Sequence, residues 1–172
     1  MIYLSNFRTA GNDPRAISIA ALTPKGFKGE RRKDLAPKFS TVKNFKDGKI
    51  TNAQYIAEYC DIIYSHDLDK LVKELDGHIL LCYCEKNEIC HRFLLGLYLK
   101  VETGIEVEEI GGFDEKFKES FEKNGIPMRL LLSEEEKNKY GLHNKYEDDN
   151  IIGHWRELNA IGANELFING MN

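Results

Sequence analysis

The sequence lacks several features that would place it at once in a common class of proteins. No stretch approaches the ~20 apolar residues of a membrane helix, and the first residues are too short and too polar for a signal peptide. It contains no internal repeat and no low-complexity tract. We therefore expect one domain of 172 residues that is located in the cytoplasm and has no membrane partner.

Cysteine is scarce and unevenly distributed. Three of the four cysteines, Cys82, Cys84 and Cys90, fall within nine positions. Such clustering does not resemble the disulfide framework of a secreted domain, so reduced, cytosolic thiols are the better interpretation. The chain has no C-x-x-C pair, no Walker loop and no G-x-G-x-x-G motif. A cysteine-phosphatase loop is also excluded, because Arg92 lies eight rather than six positions after Cys84.

The net charge of −4 conceals an uneven distribution of charges along the chain. Residues 1–50 contain eleven Lys or Arg and four Asp or Glu, whereas residues 106–172 contain eight and fifteen. The first segment is therefore expected to present a basic surface that binds the phosphates of a nucleotide or nucleic acid. The aromatic residue Phe27 lies close in sequence to several of these cations. The alternative is that these cations belong to a solvated loop without a ligand.

Hydrophobic periodicity predicts an α/β protein with a mostly parallel sheet. Apolar residues recur at helical spacing after good capping residues, and other apolar runs indicate strands. A helix between two of these runs forms a βαβ unit, in which the strands are parallel. Residues 8–50 show little regular pattern. The expected strands are 2–4, 16–20, 78–82 and 105–110, and the expected helices begin at Thr51 or Asn52, at Ser65 or Asp67, and at His91.

The run from Cys82 to Arg92 is the strongest candidate for a functional site. It follows the apolar residues 79–81 and precedes an apolar helix, so it should lie at the carboxyl end of a strand, where open α/β sheets bind ligands. Cys90 is expected at the amino end of that helix, where the dipole and Arg92 should lower its pKa. Cys90, as nucleophile, and His91 and Glu85, as proton-transferring groups, are the candidate catalytic residues.

A second group of residues is assigned to substrate binding. The planar guanidinium of Arg92 suits a phosphate or carboxylate. Cys82 ends the strand that precedes the run, and Asn6 and Arg8 follow the first strand. Because the carboxyl ends of parallel strands share one edge of a sheet, these four residues are expected at the same edge.

A metal site is the main alternative for the cysteine run, with Cys82, Cys84, Cys90 and His91 as up to four ligands. Thiolate and imidazole suit zinc. The spacing argues against it, because zinc ligands usually lie closer in sequence and Cys90 and His91 diverge by about 100° at a helix start. We therefore expect no metal and no other cofactor. Cys82 and Cys84 would then be small core residues, as would Cys60.

The cysteine run also resembles a known family. An apolar strand that ends in Leu-Cys, a polar loop, and Cys-His-Arg at the start of an apolar helix resemble the hallmark of the bacterial and phage family called domain of unknown function 488. The resemblance covers roughly residues 1–112 and includes Leu35–Pro37, residues 46–51 and Tyr55 to Tyr59.

This resemblance implies a fold and a set of characteristic positions. The fold is a Rossmann-like three-layer α/β/α sandwich, and the characteristic positions are Cys82, Cys90, His91 and Arg92. Many members carry Glu at the position of Cys84, so either Glu85 replaces it or its acid–base role is lost. Residues 113–172 fall outside the resemblance and are expected to form an acidic extension packed on the same domain.

Three functional hypotheses follow. The first is an enzyme that acts on a nucleotide, nucleobase or nucleic acid through the Cys, His, Arg and Glu site. The second is a module that binds a nucleotide or nucleic acid without catalysis. The third is a phage or mobile-element interaction protein that binds a partner through residues 113–172. The sequence favours the enzyme, because buried Arg and His side chains need partners and a ligand is a natural one. It does not fix the oligomeric state.

Overall fold

A parallel β-sheet forms the centre of the protein. The computed structural model describes residues 1–84 and 90–113. The strands in these residues are β1 (Ile2–Asn6), β2 (Ala16–Ser18), β3 (Glu30–Arg31), β4 (Ile79–Cys82) and β5 (Val107–Glu109). Their order is β3-β2-β4-β1-β5, and every neighbouring pair is parallel. The predicted α/β class and parallel sheet are confirmed.

Helices connect these strands, and most begin at residues suited to capping. Thr51 and Gln54 form a capping box, in which each side chain accepts a hydrogen bond from the other residue's backbone N–H. Asp67 caps the next helix by accepting from the backbone N–H of Lys70 at 2.8 Å. The helices of the described residues are α1 (Phe7–Ala10), α2 (Phe39–Lys46), α3 (Asn52–Tyr64), α4 (Leu68–Leu75) and α5 (His91–Thr103).

The segment 8–50 is more regular than its sequence pattern predicts. It contains most of α1, together with β2, β3, α2 and a short 3-10 turn at Lys33–Leu35. The two residues of β3 are charged and exposed, so they give no apolar signal. The helix α2 is mostly polar, and only its partly buried Phe45 packs against the main core. The two strands of the predicted βαβ unit, β4 and β5, are parallel as expected, but they are not neighbours in the sheet, because β1 lies between them.

The two faces of the sheet bury different side chains, because residues alternate between faces along a strand. Ile2, Leu4 and Leu80 belong to the larger core, which α3, α4 and α5 cover. Ile79 and Leu81 belong to a smaller cluster that includes α1 and nearby aromatic rings. The described residues therefore confirm the Rossmann-like α/β arrangement, whereas a full third layer stays a prediction.

Residues 114–172 lie outside the described part of the chain. They include all of the predicted acidic extension except its first residue, Phe113. None of the helices in the described residues combines the length and the apolar character that crossing a bilayer requires.

Gly96 brings α5 close to the sheet. A Cβ atom at this position would lie 2.9 Å from a Leu4 methyl group and 3.1 Å from a Val107 methyl group. These distances are shorter than ordinary van der Waals contacts, so the missing side chain is what allows α5 to pack on β1 and β5.

We expect Gly96→Val to lower the free energy of unfolding by about 1–3 kcal/mol, because the added isopropyl group would overpack this contact. Urea denaturation measures the effect. The control is Asp61→Val at an exposed position of α3, which should change stability by no more than about 0.5 kcal/mol. If the two substitutions lowered the free energy of unfolding equally, the close packing of α5 on the sheet at Gly96 would be contradicted.

Candidate functional site

The two described ends of the cysteine run lie at the carboxyl edge of the sheet, as predicted. Strand β4 ends at Cys82, whose neighbour across the parallel ladder is Asn6 at the end of β1. Helix α5 begins at His91, and Cys90 occupies its N-cap position. Residues 85–89, including the candidate Glu85, lie outside the described residues. The two ends of the run are thus placed at the edge where open α/β sheets bind ligands.

Three sulfur atoms converge at this edge. The Sγ atoms of Cys82 and Cys90 are 3.7 Å apart. Together with Cys84 Sγ they all lie within 4.8 Å of one another. Cys82 and Cys90 are buried and Cys84 is half-buried. Three of the four residues considered as alternative metal ligands therefore lie close together, and the absence of a metal stays a prediction. We call these residues with Arg92 the cysteine–arginine centre.

Arg92 is held rigidly beside the sulfur atoms. Its Nη1 donates to Cys82 Sγ at 3.0 Å and to the carbonyl oxygen of Cys84 at 2.7 Å. On its other side, Nη2 and Nε donate to the two carboxylate oxygens of Glu109 at 2.6 and 3.3 Å. Arg92 and Glu109 are both buried. The guanidinium thus joins the end of β5 to the loop that follows β4.

Glu109 was not among the predicted site residues, although the sequence contained a signal for it. In the alternating run 105–110, Glu109 falls on the same face as the apolar Val107. A carboxylate on the buried face of a strand requires a charged or hydrogen-bonding partner. Arg92, at the start of an apolar helix, likewise requires an acidic or hydrogen-bonding partner for its buried guanidinium.

The surroundings shift the pKa values of the three thiols in different directions. Burial alone would raise the pKa of Cys82, but hydrogen bonds with Cys84 and Cys90 and the charge of Arg92 hold that pKa well below its usual value. The hydrogen bond with Cys82 raises the pKa of Cys90, and hydrogen bonds with Cys82 and Cys90 raise the pKa of Cys84. The expectation of a lowered pKa at Cys90 is wrong, because the hydrogen bond with Cys82 and burial outweigh the charge of Arg92.

His91 points away from the three sulfur atoms. Its Nε2 lies 2.8 Å from the carbonyl oxygen of Ile19, which can only accept, so Nε2 carries the proton. Its Nδ1 then accepts from the hydroxyl of Tyr55 at 3.3 Å. Burial lowers the pKa of His91, in keeping with a neutral ring. The structure therefore joins His91 to the segment after β2 and not to the cysteine–arginine centre.

The two substrate-binding candidates after β1 have different surroundings. Asn6 is buried, and its Oδ1 accepts a hydrogen bond from the backbone N–H of Thr9 at 2.9 Å, which caps α1. Arg8 lies in α1 and is exposed. Asn6 thus stabilises the turn at the end of β1, and Arg8 contributes positive charge near the same edge.

A cluster of three aromatic rings lies beside the carboxyl edge of the sheet. The ring centroids of Phe7 and Tyr83 are 4.9 Å apart, and those of Phe7 and Phe27 are 5.4 Å apart. Tyr83 is 52% exposed. Of the three, only Phe27 was noted in the sequence, because Phe7 and Tyr83 come together only when β1 and β4 pair. We call Phe7, Phe27 and Tyr83 the aromatic platform.

Exposed cations occupy the same part of the chain as the platform. Arg8 directly follows Phe7, and Lys25 and Lys28 flank Phe27. Arg31 donates to the carbonyl oxygen of Phe27 at 3.3 Å. All four of these cations are exposed. The basic character predicted for the first segment is therefore present around Phe27.

Two grooves lie elsewhere, on the helical side of the molecule. One, of about 460 Å³, is lined by residues of α2 and α3, including Thr41 and Glu58. The other, of about 630 Å³, is lined by Arg32, Asp34 and other charged residues. Hydrogen bonds from Arg32 lower the pKa of Asp34 to about 2. Their polar groups already bind one another, so we assign neither groove a ligand.

Comparison with known proteins gives a family match. Residues 4–103, more than half of the chain, match the family described as DUF488-N3a, the active DUF488-N3 subclade. The match confirms the family resemblance, over a slightly shorter range than the predicted 1–112. The Cys-x7-Cys-His-Arg signature stays an interpretation of the sequence. No curated protein and no solved structure matches the chain significantly.

We expect Arg92→Met to lower the free energy of unfolding by about 3–5 kcal/mol, because it leaves Glu109 buried without its cation. Chemical denaturation measures this change. Arg15→Met is the matched control, since Arg15 forms an exposed pair with Asp13 at 2.9 Å, and it should have little effect. The double variant Arg92→Met/Glu109→Leu should recover part of the loss. If Arg92→Met lowered the free energy of unfolding no more than Arg15→Met does, the stabilising role of the buried pair would be contradicted.

Proposed function

This chain belongs to the DUF488 family, and we propose that it is an enzyme that acts on a nucleotide or nucleic acid at the carboxyl edge of its sheet. The observation that supports this proposal best is that the aromatic platform and the cysteine–arginine centre are both built at the carboxyl ends of β1 and β4. The description of the matched subclade as active agrees with an enzyme. The fold alone would not assign a function.

The platform and the centre lie at the same edge of the sheet but toward its two different faces, because consecutive residues contribute to them. Cys82 belongs to the centre and Tyr83 to the platform, and neighbouring Cα atoms are about 3.8 Å apart. Phe7 likewise follows Asn6, the neighbour of Cys82 on β1. A base stacked on the exposed ring of Tyr83 would place the rest of its nucleotide across the edge of the sheet. Sequence-tolerant stacking on aromatic rings is a common way to bind nucleic acid.

The surrounding charges favour an anionic ligand. Arg8, Lys25, Lys28 and Arg31 are exposed, and each can approach a phosphate. The acidic residues of the chain are concentrated after residue 105, whereas the platform is built from residues before 84. A single-stranded nucleic acid would use both features, with its bases on the rings and its phosphates on the cations.

Within this proposal the centre supplies the reacting groups. Arg92 and Cys82 stand in direct contact, and Cys90 completes the pair of buried sulfur atoms. Glu85 keeps its proposed role as a proton-transferring group. His91 acts as a positioning residue, because its ring nitrogens are engaged with Ile19 and Tyr55. The proposal places the protein in the cytosol, where its free thiols would remain reduced.

Binding to the platform is tested with a fluorescent single-stranded oligonucleotide and fluorescence anisotropy. We expect Tyr83→Ala to weaken binding by about 5- to 150-fold, since stacking contributes about 1–3 kcal/mol per base. Phe39→Ala is the matched control, because Phe39 is 55% exposed but lies on α2, and it should leave the affinity unchanged. With four phosphate contacts, the association constant should fall with salt with a log–log slope of about −3.

Two results would contradict binding at the platform. One is equal affinity of the Tyr83→Ala and Phe39→Ala variants, and the other is an affinity that does not depend on salt.

Catalysis requires a separate measurement. The protein is incubated with nucleosides, nucleotides and short single-stranded DNA and RNA, and the products are analysed by mass spectrometry. We expect conversion that disappears in Cys82→Ser and persists in Cys60→Ser, a change in a buried cysteine of α3. Binding without conversion would instead support the binding module. That alternative has one observation in its favour, namely the hydrogen bonds that Arg92 already makes within the protein.

A further inference from the structure

We propose that Cys82, Cys84 and Cys90 together bind a zinc ion. This inference rests on the geometry of the three sulfur atoms and does not depend on the proposed enzymatic function. It differs from the four-ligand arrangement considered from the sequence, because His91 is not a ligand.

The sulfur atoms are spaced as zinc ligands would be. In a tetrahedral site with Zn–S bonds of about 2.3 Å, two thiolates lie about 3.8 Å apart. The observed separation of Cys82 and Cys90 is 3.7 Å, and no pair in the cluster exceeds 4.8 Å. Cys84 is half-buried in the loop after β4, so a small movement of its side chain brings all three sulfur atoms to bonding distance of one ion.

Arg92 provides the surroundings that a thiolate site requires. Its Nη1 donates to Cys82 Sγ at 3.0 Å, as outer-shell groups do to metal ligands. The same nitrogen donates to the backbone carbonyl of Cys84 at 2.7 Å and so fixes the loop that carries the second ligand. Glu109 holds the guanidinium in place from the other side.

The surroundings offset part of the negative charge of such a site. Three thiolates and a divalent ion carry a net charge of −1, and the guanidinium of Arg92, which also pairs with Glu109, lies directly against one of the thiolates. The amino end of α5, where Cys90 is the N-cap, adds a partial positive charge. Zinc is the appropriate ion, because soft thiolate ligands in a tetrahedral arrangement favour it over magnesium or calcium.

His91 is excluded as the fourth ligand by its hydrogen bonds. Nε2 donates to Ile19 and Nδ1 accepts from Tyr55, so neither nitrogen faces the sulfur atoms. Among the described residues the group of metal-binding side chains comprises the three cysteines. Three protein ligands with a fourth position for water or substrate is the pattern of catalytic rather than structural zinc sites.

The test uses the full chain, purified without a tag under reducing conditions. Metal content per chain is measured by inductively coupled plasma mass spectrometry. The metal is then removed with a chelator and the protein is titrated with Co²⁺. We expect about one zinc per chain, and Co²⁺ should produce the near-ultraviolet thiolate charge-transfer bands and the strong visible bands of a tetrahedral sulfur site.

Matched cysteine variants locate the site. Cys84→Ser, which changes the most exposed of the three ligands, should lower the zinc content and weaken Co²⁺ binding at least tenfold. Cys60→Ser should leave both unchanged, because Cys60 is buried in α3 and is not one of the three grouped cysteines. Circular dichroism confirms that each variant is folded.

The proposal is overturned if folded protein contains less than a tenth of an equivalent of zinc and gives no thiolate–cobalt bands. It is also overturned if Cys84→Ser binds zinc as the unchanged protein does. Conversion of a nucleotide or oligonucleotide by the metal-free protein would leave the proposed function intact without zinc, whereas zinc binding without conversion would support the metal site alone, so the failure of one proposal is distinguishable from the failure of the other.

Discussion

The buried ion pair between Arg92 and Glu109 is the interaction on which the rest of the site depends. Two opposite charges are removed from water here, and the cost of that removal is offset only when the geometry is good and the remaining donors are satisfied. Both carboxylate oxygens of Glu109 accept from Arg92, and the other side of the guanidinium donates to Cys82 and to the Cys84 carbonyl. The pair therefore fixes the direction in which Arg92 presents its charge, and that direction selects Cys82 among three nearby thiols.

The same constraint explains why the site lies on rigid elements. Glu109 ends β5, Cys82 ends β4, and Arg92 lies in the first turn of α5. Gly96 lets α5 approach the side chains of Leu4 and Val107 closely, so the helix that carries Arg92 packs tightly on β1 and β5. The cysteine–arginine centre is thus positioned by packing of the core, as a preorganised binding or catalytic site requires.

Much of the fold could be predicted from the sequence, because the relevant signals are local. Thr51 and Asp67 cap helices through their own side chains, and residues 79–82 form a continuous apolar strand. The site was only partly predictable, because its defining contacts join residues that are far apart in the chain. The separation between Phe7 and Tyr83, or between Arg92 and Glu109, is set by the pairing of β1 with β4 and β5, which periodicity does not specify. The polar helix α2 was missed for a related reason, since few of its side chains are buried.

Three consecutive residues at the start of α5 make contacts with three different strands or strand ends. Cys90 meets Cys82 at the end of β4, His91 donates to Ile19 just after β2, and Arg92 pairs with Glu109 on β5. Successive side chains on a helix diverge by about 100°, so a tripeptide in the first turn can reach three directions at once. One short segment therefore holds the strand ends together at the edge where the ligand is proposed to bind. This arrangement separates two roles that look alike in sequence, because His91 stabilises the edge while Cys90 and Arg92 form the centre.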